Sequence, residues 1–402
     1  MSRDILILFS TRVLRLFCYG LLSVVLALYL SAAGFTEAQI GLLFTLTLIG
    51  DALISLWLTT SADRLGRKRT LILGALLMAG AGVAFILTRN ITLLVMAAVL
   101  GVISPSGNEI GPFLSIEQAS LTQLIPHARR TQVFAWYALA GSLATATGSL
   151  SGGWLAQILQ DSGWTPIESY RLILISYAVG GFLLLLLFIN LTRSVEITPG
   201  QDDIKRILGL HRSRNVVLKL SSLFALDAFA GGLLVQSLIA YWFYVRFGVE
   251  PGVLGSIFFG ANLLAGVSAL LAIRLAERFG LINTMVFTHI PSNILLMLVP
   301  FMPTLPLAIG ILLLRFSLSQ MDVPTRQSYT MAVVAADERS AAAGVTGIAR
   351  SVGASLSPVL TGLLFSIPAL FSAPFFLSGG LKILYDLLLY REFHSIKPPE
   401  ET

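Results

Sequence analysis

Apolar runs of about twenty residues follow one another along almost the whole chain, separated by short polar joints. A helix rising ~1.5 Å per residue needs about 20 such residues to cross a ~30 Å hydrocarbon core. Lipid offers the backbone no hydrogen bonds, so each run must satisfy its own amides as a helix. Spans are expected at 8–33, 37–60, 69–88, 91–121, 130–157, 172–192, 216–245, 251–276, 283–303, 305–333, 340–367 and 372–392. The expected class is an all-α polytopic membrane protein. Of 402 residues, 55% are hydrophobic and only 12% charged, which leaves no room for a large soluble domain.

The longest polar interval is 193–215, with Pro199-Gly200-Gln201-Asp202-Asp203 followed by Arg212 and Arg214. It reads as a cytoplasmic linker between an N-terminal six-helix half, 1–192, and a C-terminal six-helix half, 216–402. A short amphipathic piece near 203–210 is expected on the membrane surface. Among the 27 Lys and Arg, only Arg89, Arg171 and Arg246 fall in outer loops, and only Arg315, Arg350 and Lys382 lie deep in spans, if the N-terminus is inside. That asymmetry puts both termini in the cytoplasm, in an inner or plasma membrane. The net charge of +6 then reflects topology, since no basic helix interleaved with aromatics points to nucleic acid. Arg12 and Arg15 inside the first run distinguish it from the apolar core of a cleavable signal. The single Cys18 excludes an internal disulfide and reads as a small core residue. No Cys and His cluster, nucleophile elbow or phosphate loop is present, so neither a metal, a cofactor nor enzymatic chemistry is expected.

The joint Ser61-Ala62-Asp63-Arg64-Leu65-Gly66-Arg67-Lys68-Arg69 reads as a tight basic loop between the second and third spans. Its cations hold it inside; Gly66 permits a sharp turn, and Asp63 can pair or cap another helix. Shifted by 214, Ala62-Asp63-Arg64-Leu65-Gly66 falls on Ala276-Glu277-Arg278-Phe279-Gly280. At a shift of 212, Gly20-Leu21-Leu22 falls on Gly232-Leu233-Leu234 and Arg15 on Asp227; at 209, Gln118 falls on Gln327. Nearly equal offsets indicate a duplicated six-helix unit. The spacing D-R-x-G-R-K-R resembles the loop signature of the major facilitator superfamily, and the repeat extends that resemblance over nearly the whole chain. A further stretch, Gly148-Ser149-Leu150-Ser151-Gly152-Gly153, is similar to the superfamily's Gly-Pro-x-x-Gly-Gly antiporter signature, with Ser149 in place of proline and the proline at the repeat-related Pro358. The bland reading of Gly148, Gly152, Gly153 and Pro358 is close helix packing and a local bend.

Charges inside spans are costly, so each should face a neighbour or a watery cavity. They are Arg15, Asp51, Glu109, Asp227, Arg315, Asp322, Arg350, Lys382 and Asp386. Asp51 lies ~18 Å deeper than Asp63 along its helix, where it either carries a proton or pairs with a base such as Arg350. Glu109 sits between Pro105, Gly107, Gly111 and Pro112, which implies an interrupted helix whose freed carbonyls meet a cation or substrate. Arg15 and Asp227 are candidates for a bridge between halves, static or breaking on binding. Arg315 and Asp322, seven residues apart, share a helical face and bracket a substrate. Lys382 and Asp386 have the spacing of an intrahelical ion pair. His289 reads as a hydrogen-bonded packing group. Glu117 and Arg326, symmetric by the repeat, suggest an inner gate bridge.

The resemblance implies two six-helix bundles related by pseudo-twofold symmetry, with the first, fourth, seventh and tenth helices lining a central cavity. It implies a gate formed by Asp63, Arg64, Gly66, Arg67, Glu277, Arg278 and Gly280, with Asp63 at the helix end near Ser340 and Glu277 at that near Thr131. The proton and substrate path would use Arg15, Asp51, Glu109, Asp227, Arg315, Asp322 and Arg350. The expected function is secondary transport by alternating access, proton-coupled efflux of a small or amphiphilic compound, working as a monomer in the lipid bilayer. The alternatives are proton-coupled uptake of a small polar nutrient or organic anion, and a non-transporting membrane receptor.

Overall fold

The computed structural model describes residues 3–88, 90–109, 112–126, 129–196, 211–335 and 338–396, and within them every side chain but those of Asp63, Arg64, Thr131 and Ser340. The surface helix expected near 203–210 lies outside the described residues. The first helices are α1 Arg3–Ala32, α2 Glu37–Leu65, α3 Arg67–Leu87, α4 Ile91–Leu100, α5 Phe113–Leu124, α6 Arg130–Asp161 and α7 Pro166–Ile189. Then come α8 Arg214–Gly232, α9 Gln236–Phe247, α10 Pro251–Phe279, α11 Leu281–Leu298, α12 Leu305–Phe316, α13 Asp322–Val333, α14 Arg339–Leu356, α15 Pro358–Phe365 and α16 Ala373–Phe393. Among the described residues, nine stretches are long and apolar enough to cross a membrane, and α4 and α12 are shorter apolar helices.

The fourth span is interrupted, as its prolines and glycines require: α4 ends at Leu100 and α5 begins at Phe113. Two further spans expected to be continuous are also broken. The tenth opens between α12 and α13 at 317–321, in a Ser-rich stretch, and the seventh opens between α8 and α9 after Gly231-Gly232. Thr361 Oγ1 donates to the freed carbonyl of Leu233 at 2.6 Å, which replaces the lost helical bond. Pro358 begins α15 and bends the eleventh span at Ser357.

The basic joint differs from the expected loop. Helix α2 runs through Leu65 and α3 begins at Arg67, so Gly66 alone makes the turn. Gly66 has φ +94° and Gly280 has φ +83°, a backbone region that side chains rarely adopt. Both glycines close their helix in the same way, donating to the carbonyls of Ala62 and Ala276 at 2.9 Å and accepting from the amides of Thr70 and Thr284 at 3.1 Å. Glu196 accepts from the first amides of α3, Arg67 at 2.8 Å and Lys68 at 3.2 Å, which satisfies orphan donors at that helix start. The Arg67 guanidinium reaches Gln123 Oε1 at 3.0 Å and the Val195 carbonyl at 3.3 Å.

The chain forms two compact units, Met1–Asp202 with Val235–Phe259, and Asp203–Leu234 with Gly260–Thr402. The sequence halves place 235–259 with the second unit; by packing these residues belong to the first. Ser237 donates from its amide and hydroxyl to the Pro105 carbonyl at 3.0 and 2.7 Å, and Tyr241 to Glu37 at 2.9 Å. The first unit is knit by α1 crossing α6 at glycine distance. A Cβ on Gly148 would stand 2.1 Å from the Phe17 carbonyl oxygen, one on Gly152 2.3 Å from that of Leu21, and one on Gly153 2.3 Å from that of Pro251. Ser149, at the proline position, leaves α6 unbroken and donates to the Thr145 carbonyl at 3.0 Å. The single thiol, Cys18, is buried, and a Cβ on Gly180 would stand 2.3 Å from its sulfur.

In the second unit α8 meets α14 in the same manner, with Gly232 against the Ala354 carbonyl and Gly353 against that of Ala225. Gly20 and Gly232, related by the repeat, thus both serve backbone contacts. A buried apolar layer of Leu220, Phe224, Met285, Val286, Tyr329 and Leu389 lies beneath.

Candidate functional site: two buried ion-pair clusters

Among the described residues, each unit carries a buried cluster of charged side chains. In the first, Arg15 on α1 is fully buried and makes a two-pronged pair with Glu117 on α5, NH1 to Oε1 at 2.9 Å and NH2 to Oε2 at 2.7 Å. The Arg15 Nε turns to Glu109 Oε1 at 2.8 Å, and Arg12 NH1 takes Glu109 Oε2 at 2.8 Å. Thr11 Oγ1 donates to Glu117 Oε1 at 2.8 Å, and the Tyr137 hydroxyl donates to Oε2. Two aromatic rings cover the guanidiniums: Phe113 at 4.5 Å from Arg15 and Tyr137 at 4.3 Å from Arg12. Buried charges persist only when paired and hydrogen-bonded, and this arrangement meets both needs.

The break in the fourth span is what brings Glu109 to Arg12 and Arg15. Three of its freed carbonyls are held by protein: Val102 accepts from Tyr177, Pro105 from Ser237, and Asn108 from Ser104 at 2.9 Å. Glu109 itself keeps 13% side-chain exposure, against none for Glu117.

In the second unit Asp227 on α8 gathers three cations from three helices. Lys382 Nζ on α16 reaches Oδ1 at 2.6 Å; Arg326 on α13 and Arg350 on α14 reach Oδ2 at 3.0 and 3.2 Å. Arg326 NH1 also holds Asp322 Oδ2 at 2.8 Å, one turn away on α13. Arg350 is the most open, its side chain 36% exposed.

The described side chains find partners other than several that sequence spacing suggested. Arg15 is taken by Glu109 and Glu117 of its own unit, and Asp227 by Lys382, Arg326 and Arg350 of its own. Glu117 is held by Arg15, and Arg326 by Asp227 and Asp322, each within its own unit. Lys382 leaves Asp386 for Asp227, and Asp386 instead bonds His289 Nδ1 at 2.9 Å. Arg315 and Asp322 do not share one helical face, because residues 317–321 unwind between them. The Arg315 guanidinium lies over Phe316 at 4.7 Å, with its Nε buried and without a hydrogen bond.

Asp51 on α2 is half-buried and accepts from Ser55 Oγ at 3.4 Å, while its proposed partner Arg350 serves Asp227. The side chains of Asp63 and Arg64 lie outside the described residues, as do those of Ser340 and Thr131, so the expected helix-end contacts of the gate do too. Glu277 and Arg278 are exposed at the end of α10.

Residues that sequence reasoning passed over are Arg12, Tyr137 and Glu196. Arg12 was legible in one respect, lying three residues before Arg15 and hence on the same face. Glu196 carries no signal beyond being an acid just past the sixth span. Its counterpart in role is Glu338, whose carboxylate accepts the amides of His211, Arg212 and Ser213, the latter two at 2.8 Å. Those backbone bonds, that of His211 foremost, draw its pKa down to about 2.

The family model described as Major Facilitator Superfamily matches residues 8–358. An uncharacterized membrane protein of Saccharomyces cerevisiae, YJR124C, is 32% identical, over 96% of this chain and 93% of its own length. The multidrug resistance protein MdtG of Serratia proteamaculans is 27% identical over 76% of this chain and 72% of its own. In solved structures, a bacterial homologue of the human lysosomal transporter Spinster matches with TM-score 0.70 at 19% identity, covering 96% of this chain and 94% of that one. A D-xylose–proton symporter matches with TM-score 0.76 at 15% identity, covering 96% and 97%. At these identities the structures speak for the fold alone.

Proposed function

The chain belongs to the major facilitator superfamily of membrane transporters, and we propose that it is a proton-coupled exporter of small amphiphilic compounds. One observation carries the reading. Each unit holds an interrupted span, α4–α5 and α12–α13, with buried carboxylates paired to arginines beside it. Such charge is costly to keep in a membrane and is retained where ions or substrates pass. Glu109, Asp227, Asp322 and Asp51 supply protonatable groups; Arg15, Arg315 and Arg350 supply fixed charge. Both termini lie in the cytoplasm on the distribution of Lys and Arg, and a single chain suffices for function. The name of the relative MdtG, a multidrug resistance protein, supports the direction chosen.

The test is accumulation of a panel of toxic cations and dyes in a pump-deficient host expressing the chain. Lower accumulation of at least one compound, reversed by a protonophore, is expected. Unchanged accumulation across the panel would refute export. A second reading, uptake of an organic anion, draws on the Arg315 Nε that lacks a bond and on the open Arg350. Proton-driven entry of a carboxylate would favour it.

A further inference from the structure

Lys382 stands between two carboxylates. Its ammonium is 2.6 Å from Asp227 Oδ1, yet Asp386, four residues on in the same helix, is only ~6 Å along the axis. Asp386 is 1% exposed, and its described partners are His289 Nδ1 at 2.9 Å and Asn293 Nδ2 at 3.5 Å. Asn293 is itself fully buried and has an Oδ1 without a hydrogen bond. A turn of that amide would offer an acceptor to a protonated Asp386. Around this site the other charged groups are fixed pairs: Arg326 with Asp227 and Asp322, and Arg350 with Asp227. Arg315 contributes its backbone carbonyl, which accepts from Ser292 at 3.3 Å, and Tyr385 packs edge-on against His289 at 6.2 Å. Within the cluster the described partners of His289 and Asp386 include no arginine or lysine.

We propose that Lys382 is a toggle that exchanges a cationic substrate at Asp227 for a proton held by His289 and Asp386. This rests on the reading of the chain as a proton-coupled exporter and adds the coupling site and the charge of the substrate. In the proton-loaded state, imidazolium His289 pairs with Asp386 and Lys382 pairs with Asp227. An organic cation entering past the open Arg350 takes Asp227, and Lys382 swings one turn to Asp386. The ammonium replaces the imidazolium as counter-ion, and the proton leaves the imidazole. One positive charge arrives as one departs, so the cluster keeps its net charge, and the exchange is one for one.

The experiment uses the full chain in proteoliposomes with ethidium as the probe. The wild type should concentrate ethidium about tenfold per unit of pH gradient, the value for one-for-one exchange. In weakly buffered detergent it should release about one proton per ethidium bound. His289→Gln and Asp386→Asn should abolish the pH-driven gradient while keeping ethidium–ethidium exchange and a thermal midpoint near that of the wild type. Lys382→Arg, which keeps the charge, should retain coupling. If both substitutions at the pair leave the pH-driven gradient intact, the toggle is wrong and the exporter reading stands. If the wild type shows no pH-driven ethidium gradient and releases no proton, reading and toggle fall together. Should the substituted proteins not fold, proton release by the wild type decides alone, and binding without release overturns the proposal.

Discussion

Arg15 and Glu117 form a two-pronged ion pair in which neither side chain has any exposure, linking the first transmembrane helix to the second piece of the broken fourth. Removing one partner of such a pair leaves an uncompensated buried charge, at a cost of about 3–5 kcal/mol. Glu117→Ala and Arg15→Ala should each lower the thermal midpoint of the purified protein sharply. Replacing both with apolar residues of similar volume should recover much of that loss. A single substitution that left the midpoint unchanged would show the pair to be dispensable.

Gly66 and Gly280 adopt φ of +94° and +83°. Alanine at either position carries a left-handed penalty of about 1–2 kcal/mol. Gly66→Ala and Gly280→Ala should therefore lose similar stability despite the difference in surrounding charge. A large effect at Gly66 alone would mean that the basic run, and not the backbone, fixes that joint.

Gly148→Leu should prevent folding, because even a Cβ there would stand 2.1 Å from the Phe17 carbonyl oxygen. Gly310→Ala is the control: its Cβ would meet nothing within 4 Å, and helix propensity favours it by up to about 1 kcal/mol. Size-exclusion profiles of the two variants check both statements. A monodisperse Gly148→Leu protein would contradict the packing seen here.

Glu338 ends the segment before α14 and receives three backbone amides from 211–213. Its pKa, about 2 against an ordinary 4.5, is depressed on folding. The stabilisation is thus present above pH 4.5 and fades as pH falls toward 2. Wild-type protein and Glu338→Gln should differ in midpoint at neutral pH and converge in acid. A difference that persisted at pH 2 would assign the effect to shape and not to charge.

The long apolar helices were legible because apolar length is a one-dimensional quantity. The duplication was legible because Gly66 and Gly280 need the same backbone for the same reason. The break in the fourth span announced itself through Pro105 and Pro112. The breaks in the seventh and tenth spans did not, since Gly231-Gly232 and Ser317–Ser319 are also common in unbroken membrane helices. Charge partners were the least legible feature. Lys382 and Asp386 have ideal helical spacing, yet Asp227 on another helix offers a shorter contact, and sequence spacing carries no knowledge of the neighbouring helix. Arg15 and Glu109 were singled out separately, and only the unwound stretch after Leu100 shows why they meet.

Cys18 lies against Gly180 with 4% of its surface open. The native chain should therefore be nearly silent to a water-borne maleimide. Reporter thiols can be placed one at a time on α8, α11 or α16 without first removing the natural one. Spin or fluorescent labels can then track the helices that carry Asp227, His289 and Lys382 in the unaltered protein background.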